Sequence, residues 1–220
     1  MKKNSKIVNK NLASLNPRKH LKYKICVSGA AETGLCSADA IEKAEAIGRE
    51  VAKAGMVLVT GATSGIPYWA AKGAKEAGGF VIGLSPASSE AAHLKTYRLP
   101  TDYHDLIIYT GFEYAGRNLL LTRSADAVIT ICGRIGTLGE FSIVFEDHKV
   151  SGVLEGTGGA ADMLREILIK SKRGNGQTIF SRDPKDLVQK VIAMIHAQEK
   201  DNHNNGKPYN RNYSRELGIS

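Results

Sequence analysis

The sequence predicts one α/β domain built as a doubly wound parallel sheet with helices on both faces. Three observations carry that prediction. Short apolar runs alternate with helical stretches along the chain, as consecutive βαβ units require. The apolar runs are mostly continuous, which suits parallel strands covered on both sides. Right-handed crossovers between such strands then give the doubly wound layout.

The elements follow in order. KICVSGA at Lys24–Ala30 reads as a first strand ending in Gly29-Ala30. Residues 37–54 read as a helix from their Ala, Ile and Val spacing, with Ser37 or Asp39 as caps and Gly55 as the stop. MVLVT at 56–60 is a second strand, 66–77 a second helix closed by Gly78-Gly79, and FVIGL at 80–84 a third strand. Residues 85–104 form a long polar connection with Pro86 and Pro100; a connection of that length is usually functional or mobile. A fourth strand at 106–109 precedes a helix at 114–123, and DAVITIC at 126–132 is a fifth strand. A helix at 137–147, a strand at 150–154 and a helix at 160–170 follow. A short strand at 177–180 and a helix at 185–198 complete the pattern.

Composition bounds the rest. The chain has 220 residues, 42% hydrophobic and 24% charged, which fits a soluble globular domain with tails. No apolar run reaches the length of a membrane helix and no signal-like apolar segment follows the basic start, so cytoplasm is the expected location and no membrane partner is expected. The net charge of +8 is local. Lys2, Lys3, Lys6, Lys10, Arg18, Lys19, Lys22 and Lys24 supply it with no acid among them. Residues 1–22 therefore read as a basic flexible arm, 23–198 as the folded domain, and the Asn-rich 199–220 as a polar disordered tail. The arm has no interleaved aromatics and no DNA-binding motif, so nucleic acid is not an expected partner. Cys26, Cys36 and Cys132 are too few and too scattered for a disulfide framework or a zinc site. They read as inert thiols, with Cys26 and Cys132 buried in strands.

In a doubly wound fold, ligands bind where the strands end, near the switch point of strand order. Three strand-to-helix loops qualify. Ser28-Gly29-Ala30-Ala31-Glu32-Thr33-Gly34 is small and glycine-bearing, but it is not the G-x-G-x-x-G fingerprint. Thr60 stands where an acidic ribose-binding residue would be, which disfavours an NAD-dependent oxidoreductase. In Thr60-Gly61-Ala62-Thr63-Ser64-Gly65, Gly61 and Gly65 permit a tight turn and Ser64 can cap the helix or donate to a phosphate. The third loop, Gly133-Arg134-Ile135-Gly136-Thr137, is the most specific. Glycines at a helix start leave amides free to face an anion, and the helix dipole favours negative charge there. Thr137 adds a hydroxyl donor, Arg134 a mobile cation, and Glu140 a carboxylate beside the anion. The plain alternative is a capping box between Thr137 and Glu140. Arg117, near the end of the fourth strand, points to the same edge, or is simply a surface arginine.

These strings resemble the LOG family within the Rossmann-like SLOG group, in its short LOG-like branch. Gly133–Glu140 resembles the family's P-G-G-x-G-T-x-x-E motif. Residues 60–79 resemble its T-G-G-G-x-G stretch, and Arg117-Asn118 with Arg123-Ser124-Ala125-Asp126 its R-N-x-x-x-x-R-S-A-D block. Thr157-Gly158-Gly159 matches a further Thr-Gly-Gly element. The resemblance implies a phosphoribohydrolase that cleaves the N-glycosidic bond of a nucleoside 5′-monophosphate, releasing base and ribose 5-phosphate. It implies phosphate held by Gly133, Gly136 and Thr137, catalysis by Arg117 and Glu140, a homodimer, and no metal or other cofactor. Gly29, Gly61, Ser64, Gly65 and Arg134 complete the expected nucleotide-binding set. Several positions depart from the pattern. Cys132 replaces the motif's proline and Arg134 its second glycine. Ala62 and Thr63 replace glycines, and Pro67-Tyr68-Trp69 replaces Met-Glu-Ala. Arg134 is expected to strain a glycine-only backbone, or to contact the phosphate itself. The alternative reading is a non-catalytic binder or sensor of a nucleotide or nucleotide-like cofactor, using the same pocket remodelled.

Overall fold

The computed structural model describes residues 21–204. All but the last two residues of the expected basic arm, and residues 205–220 of the expected tail, lie outside the described residues.

The seven strands are β1 Lys24–Gly29, β2 Val57–Thr60, β3 Phe80–Ser85, β4 Leu106–Tyr109, β5 Ala127–Ile131, β6 Val150–Leu154 and β7 Thr178–Ser181. The helices are α1 Ala40–Lys53, α2 Ile66–Glu76, α3 Glu113–Ser124, α4 Ile135–Glu146, α5 Gly159–Lys170 and α6 Pro184–Asn204. All neighbouring strands run parallel, in the order β4-β3-β2-β1-β5-β6-β7. The order reverses direction between β1 and β5, so the crevice for a ligand opens above those two strands.

The continuous apolar runs are explained by position. β2, β5 and β6 are buried along their whole length, whereas the edge strand β4 exposes Leu106 and Ile108. One layer packs α1, α2 and α6 on the sheet through Ile47, Val51, Ile66, Leu187 and Val191, against Ile25 and Ile129. The other layer packs α3, α4 and α5 through Leu121, Val144, Phe141 and Leu164. Each fully buried side chain of this kind contributes about 1.5–3 kcal/mol relative to exposure. In the first layer α1 and α2 touch backbone to backbone. A Cβ on Gly48 would stand 1.9 Å from the Ala70 carbonyl oxygen, and one on Gly73 2.1 Å from that of Glu45.

Several boundaries shift from the sequence reading. α1 begins at Ala40, and Ser37 Oγ donates to the Asp39 carboxylate instead of capping the helix. α6 runs on to Asn204, into the segment read as tail. The long connection after β3 is anchored. It contains a π-type turn at Ala92–Thr96, and His93 is fully buried between Ser85 Oγ at 2.8 Å and the Pro100 carbonyl at 3.1 Å. His104, at its end, meets Thr60 Oγ1 at 2.8 Å. Burial holds His104 below the ordinary imidazole value.

Candidate functional site

The crevice is framed by the loop after β1 and the loop after β5. α4 starts at Ile135, one turn's fraction earlier than the sequence implies, with Arg134 as its N-cap. Among the described residues no side chain caps it. The first amides of a helix have no intrahelical acceptor, so those of Ile135, Gly136 and Thr137 are the fold's natural anion ligands. Gly136 is exposed, and a Cβ there would meet nothing within 4 Å. Position 136 is thus open to solvent on the first turn of α4. Ile135 beside it is 83% exposed. Thr137 is buried and packs its side chain on the bare Cα of Gly133, whose φ of 100° needs glycine.

This start excludes the capping box. Thr137 is the third helical residue and not the N-cap, and Glu140 turns inward. Arg134 does not sit in a glycine-only conformation either. Its φ of −120° and ψ of −159° are ordinary extended backbone, so the expected strain is absent there. Its guanidinium pairs with Glu32 across the crevice, both side chains largely exposed.

Beneath the mouth, four residues from three elements converge. Glu140 accepts from Ser28 Oγ at the end of β1. Asn118, its amide oriented to suit its neighbours, donates to the other Glu140 oxygen at 2.7 Å and to the Tyr114 carbonyl at 2.9 Å. Arg117 Nη1 lies 4.0 Å from Glu140 Oε1, an ion pair with both side chains nearly sealed from water. Arg117 is therefore not a surface arginine; it is 5% exposed. Burial pushes the Glu140 carboxyl up, against the lowering influence of Arg117 and of the Ser28 hydrogen bond. Burial also pulls Arg117 down, against the charge of Glu140. The guanidinium packs on Gly61, where a Cβ would stand 2.0 Å from Nη1. A larger residue at 61 would push the guanidinium out of this position. Among the described residues, Arg117 Nε has no hydrogen-bond partner. A buried, unsatisfied cationic donor calls for an explanation.

The remaining expected residues have contacts within the fold. Ser64 Oγ donates to the Ala31 carbonyl at 3.1 Å. Gly65, at φ 69°, lets the start of α2 meet the Ala30 and Ala31 carbonyls, and Ile66 N donates to Ala30 O. Those carbonyls occupy the α2 N-terminus, so the open helix mouth is that of α4. A Cβ on Gly29 would clash with Ile66 and the Ile131 carbonyl. Ser28 and Asn118 were missed by the sequence reading. Ser28 had one signal, a hydroxyl closing an apolar strand.

The cysteines require a correction. Cys36 and Cys132 form a disulfide that joins the loop after β1 to the loop after β5. Their 96-residue separation hid the contact, because only the switch-point geometry brings the two loops together. Cys132 has φ 51°, which proline cannot adopt, so its departure from the motif reflects a different backbone here. Cys26 is a buried free thiol, and burial pushes its pKa up. Among the described residues, no cluster of three or more His, Cys, Asp or Glu could hold a metal ion, and no helix is long and apolar enough to cross a membrane.

A parallel sheet, a glycine-led helix mouth at the switch point and a buried Arg–Glu pair define a Rossmann-like protein of the SLOG type. The chain belongs to the SLOG cluster4 family, whose model matches residues 22–188. It is 31% identical over 126 residues to an uncharacterized protein of Archaeoglobus fulgidus, covering 57% of this chain and 78% of that one. Among solved structures it is similar to the molybdenum cofactor binding protein of Rippkaea orientalis. That match has 28% identity and a TM-score of 0.65, over 82% of this chain and 99% of that one. The molybdenum cofactor carrier protein of Chlamydomonas reinhardtii shares the fold at 22% identity and a TM-score of 0.66, over 80% of this chain and 99% of that one.

Proposed function

We propose that the protein binds a phosphate-bearing nucleotide or nucleotide-like cofactor in the β1/β5 crevice and holds it without turnover. One observation carries the reading. Arg117 is buried against Gly61 with its Nε unsatisfied and its carboxylate partner no closer than 4.0 Å. A ligand's negative end at the α4 mouth supplies the missing acceptor once the Arg117 side chain turns toward it from its buried position. Glu140 is already engaged by Ser28 and Asn118, which leaves it a poor candidate for activating water. The similarity to a molybdenum cofactor binding protein supports the same reading and makes that cofactor one ligand to try.

A second reading keeps catalysis. Burial raises the Glu140 carboxyl beside an arginine, an arrangement suited to a phosphoribohydrolase acting on a nucleoside 5′-monophosphate. Calorimetric titration with AMP, paired with an assay for ribose 5-phosphate, separates the two. Saturable binding without product supports the binder. Product that disappears in Glu140→Ala supports the enzyme. No binding of AMP or of the molybdenum cofactor overturns both. Tyr114, Leu119 and Leu120 leave apolar area exposed on α3, which fits a homodimer; light scattering that finds only monomer removes that part.

A further inference from the structure

We propose that the Cys36–Cys132 disulfide is a redox-operated clasp on the ligand crevice, closed in the holding state and opened by thiol reduction. The inference rests on the reading of the α4 mouth as the ligand site. The disulfide spans the two loops that diverge at the switch point, and Cys132 immediately precedes the Gly133-Arg134 turn into α4. The segment it restrains has little else to hold it. No side chain from Ala31 to Asp39 is buried. Its other ties are Ser37 N to Thr157 O at 3.0 Å, the Cys36–Gly158 bridge, Ser64 Oγ to Ala31 O and the exposed Glu32–Arg134 pair, with the Asp39–Lys43 ion pair and the Ala40 N–Ser37 O and Lys43 N–Asp39 O bonds at its α1 end. No side chain of this wall is fully buried; Cys36 is its contact with the main core, and the disulfide is the covalent tie that holds it to the β5 side.

The chemistry is thiol–disulfide exchange with a dithiol reductant. Cys36 is partly exposed and Cys132 fully buried, so the reductant's thiolate attacks the Cys36 sulfur. The S–S bond breaks, and Cys132 leaves as a thiolate near the positive end of α4 before taking a proton. The reductant's second thiol then breaks the mixed disulfide and releases Cys36. Two electrons pass to the cysteine pair, and the reductant leaves as its own disulfide. A disulfide oxidant closes the clasp by the reverse exchange. Once open, the segment at 31–37 spends only part of its time against the mouth, and apparent affinity falls by that fraction.

The test uses the full chain, treated with oxidised glutathione or with dithiothreitol, and AMP as the probe. Alkylation after denaturation reports the state: one thiol, Cys26, in the closed form and three in the open form. Reduction is expected to speed amide exchange across residues 31–37 and to weaken AMP binding at least about tenfold. Cys36→Ser is expected to behave as the reduced chain under both conditions. The proposal is overturned by three thiols after oxidation, by unchanged exchange in 31–37, or by equal AMP affinity in the two states. Loss of AMP binding in both states retires the ligand site instead; faster exchange in 31–37 then still supports the clasp, and unchanged exchange removes it.

Discussion

Replacing Arg117 by Met tests the buried pair. Methionine keeps a long apolar stem over Gly61 and removes the charge that faces Glu140. At 4.0 Å and an effective dielectric near 20, the lost attraction is about 4 kcal/mol. Stranding one member of a buried pair costs about 3–5 kcal/mol by experience. The side chains are only 6% and 8% exposed, so the low values of surface pairs do not apply. A loss of about 3 kcal/mol lowers the melting point by roughly 6–12 °C in a domain of this size. The loss carries a pH signature. Burial already holds the folded-state Glu140 carboxyl above its unfolded value, and removing Arg117 raises it further. A raised carboxyl keeps its proton in the folded state where the unfolded chain has lost it. Stability therefore falls as pH climbs from the ordinary carboxylate value through the raised one. The variant's deficit is expected to be larger at pH 7 than at pH 5, because Glu140 takes up its proton as pH falls toward the ordinary carboxylate value. Urea unfolding at both pH values measures it. A deficit under about 1 kcal/mol near pH 7, typical of an exposed pair, would refute the reasoning. So would an equal deficit at the two pH values.

Two further outcomes follow from the same geometry. Glu32→Ala frees Arg134 from its exposed partner; stability is expected to change by less than about 0.5 kcal/mol, while AMP affinity in a titration rises. Gly48→Ala puts a Cβ 1.9 Å from the Ala70 carbonyl. The forced separation of α1 and α2 is expected to cost about 2 kcal/mol or more in urea unfolding, despite alanine's helix propensity.

Much of the fold was legible because strands buried on both faces leave continuous apolar runs. β4 and β6 fall on the residues expected, and most other ends move by one to three positions. Strand order is not written in such runs, so the β1/β5 switch point, and with it the Cys36–Cys132 bridge, had no local signal. The α4 start was misplaced because Arg134 and Ile135 look like loop residues, while extended backbone at Arg134 and solvent around Ile135 satisfy an N-cap and a first turn. Arg117 and Glu140 were legible as a pair through motif spacing. Their mutual burial, and the engagement of Glu140 by Ser28 and Asn118, depend on three elements meeting under β1 and were not. The glycines at 48 and 73 passed unremarked in helical stretches, since only helix–helix contact explains them.

The most direct test of an anion site at the α4 mouth is AMP titration of Gly136→Asp. Position 136 faces open space, and an acid in the first turn of a helix adds about 0.3–1 kcal/mol of stability, so the fold is expected to be unharmed or firmer. The new carboxylate adds negative charge to the first turn of α4, where it repels a ligand's negative end. An unchanged or higher melting point is expected together with at least about a tenfold loss of AMP affinity, which corresponds to about 1.4 kcal/mol. Wild-type affinity in a well-folded Gly136→Asp protein would contradict it.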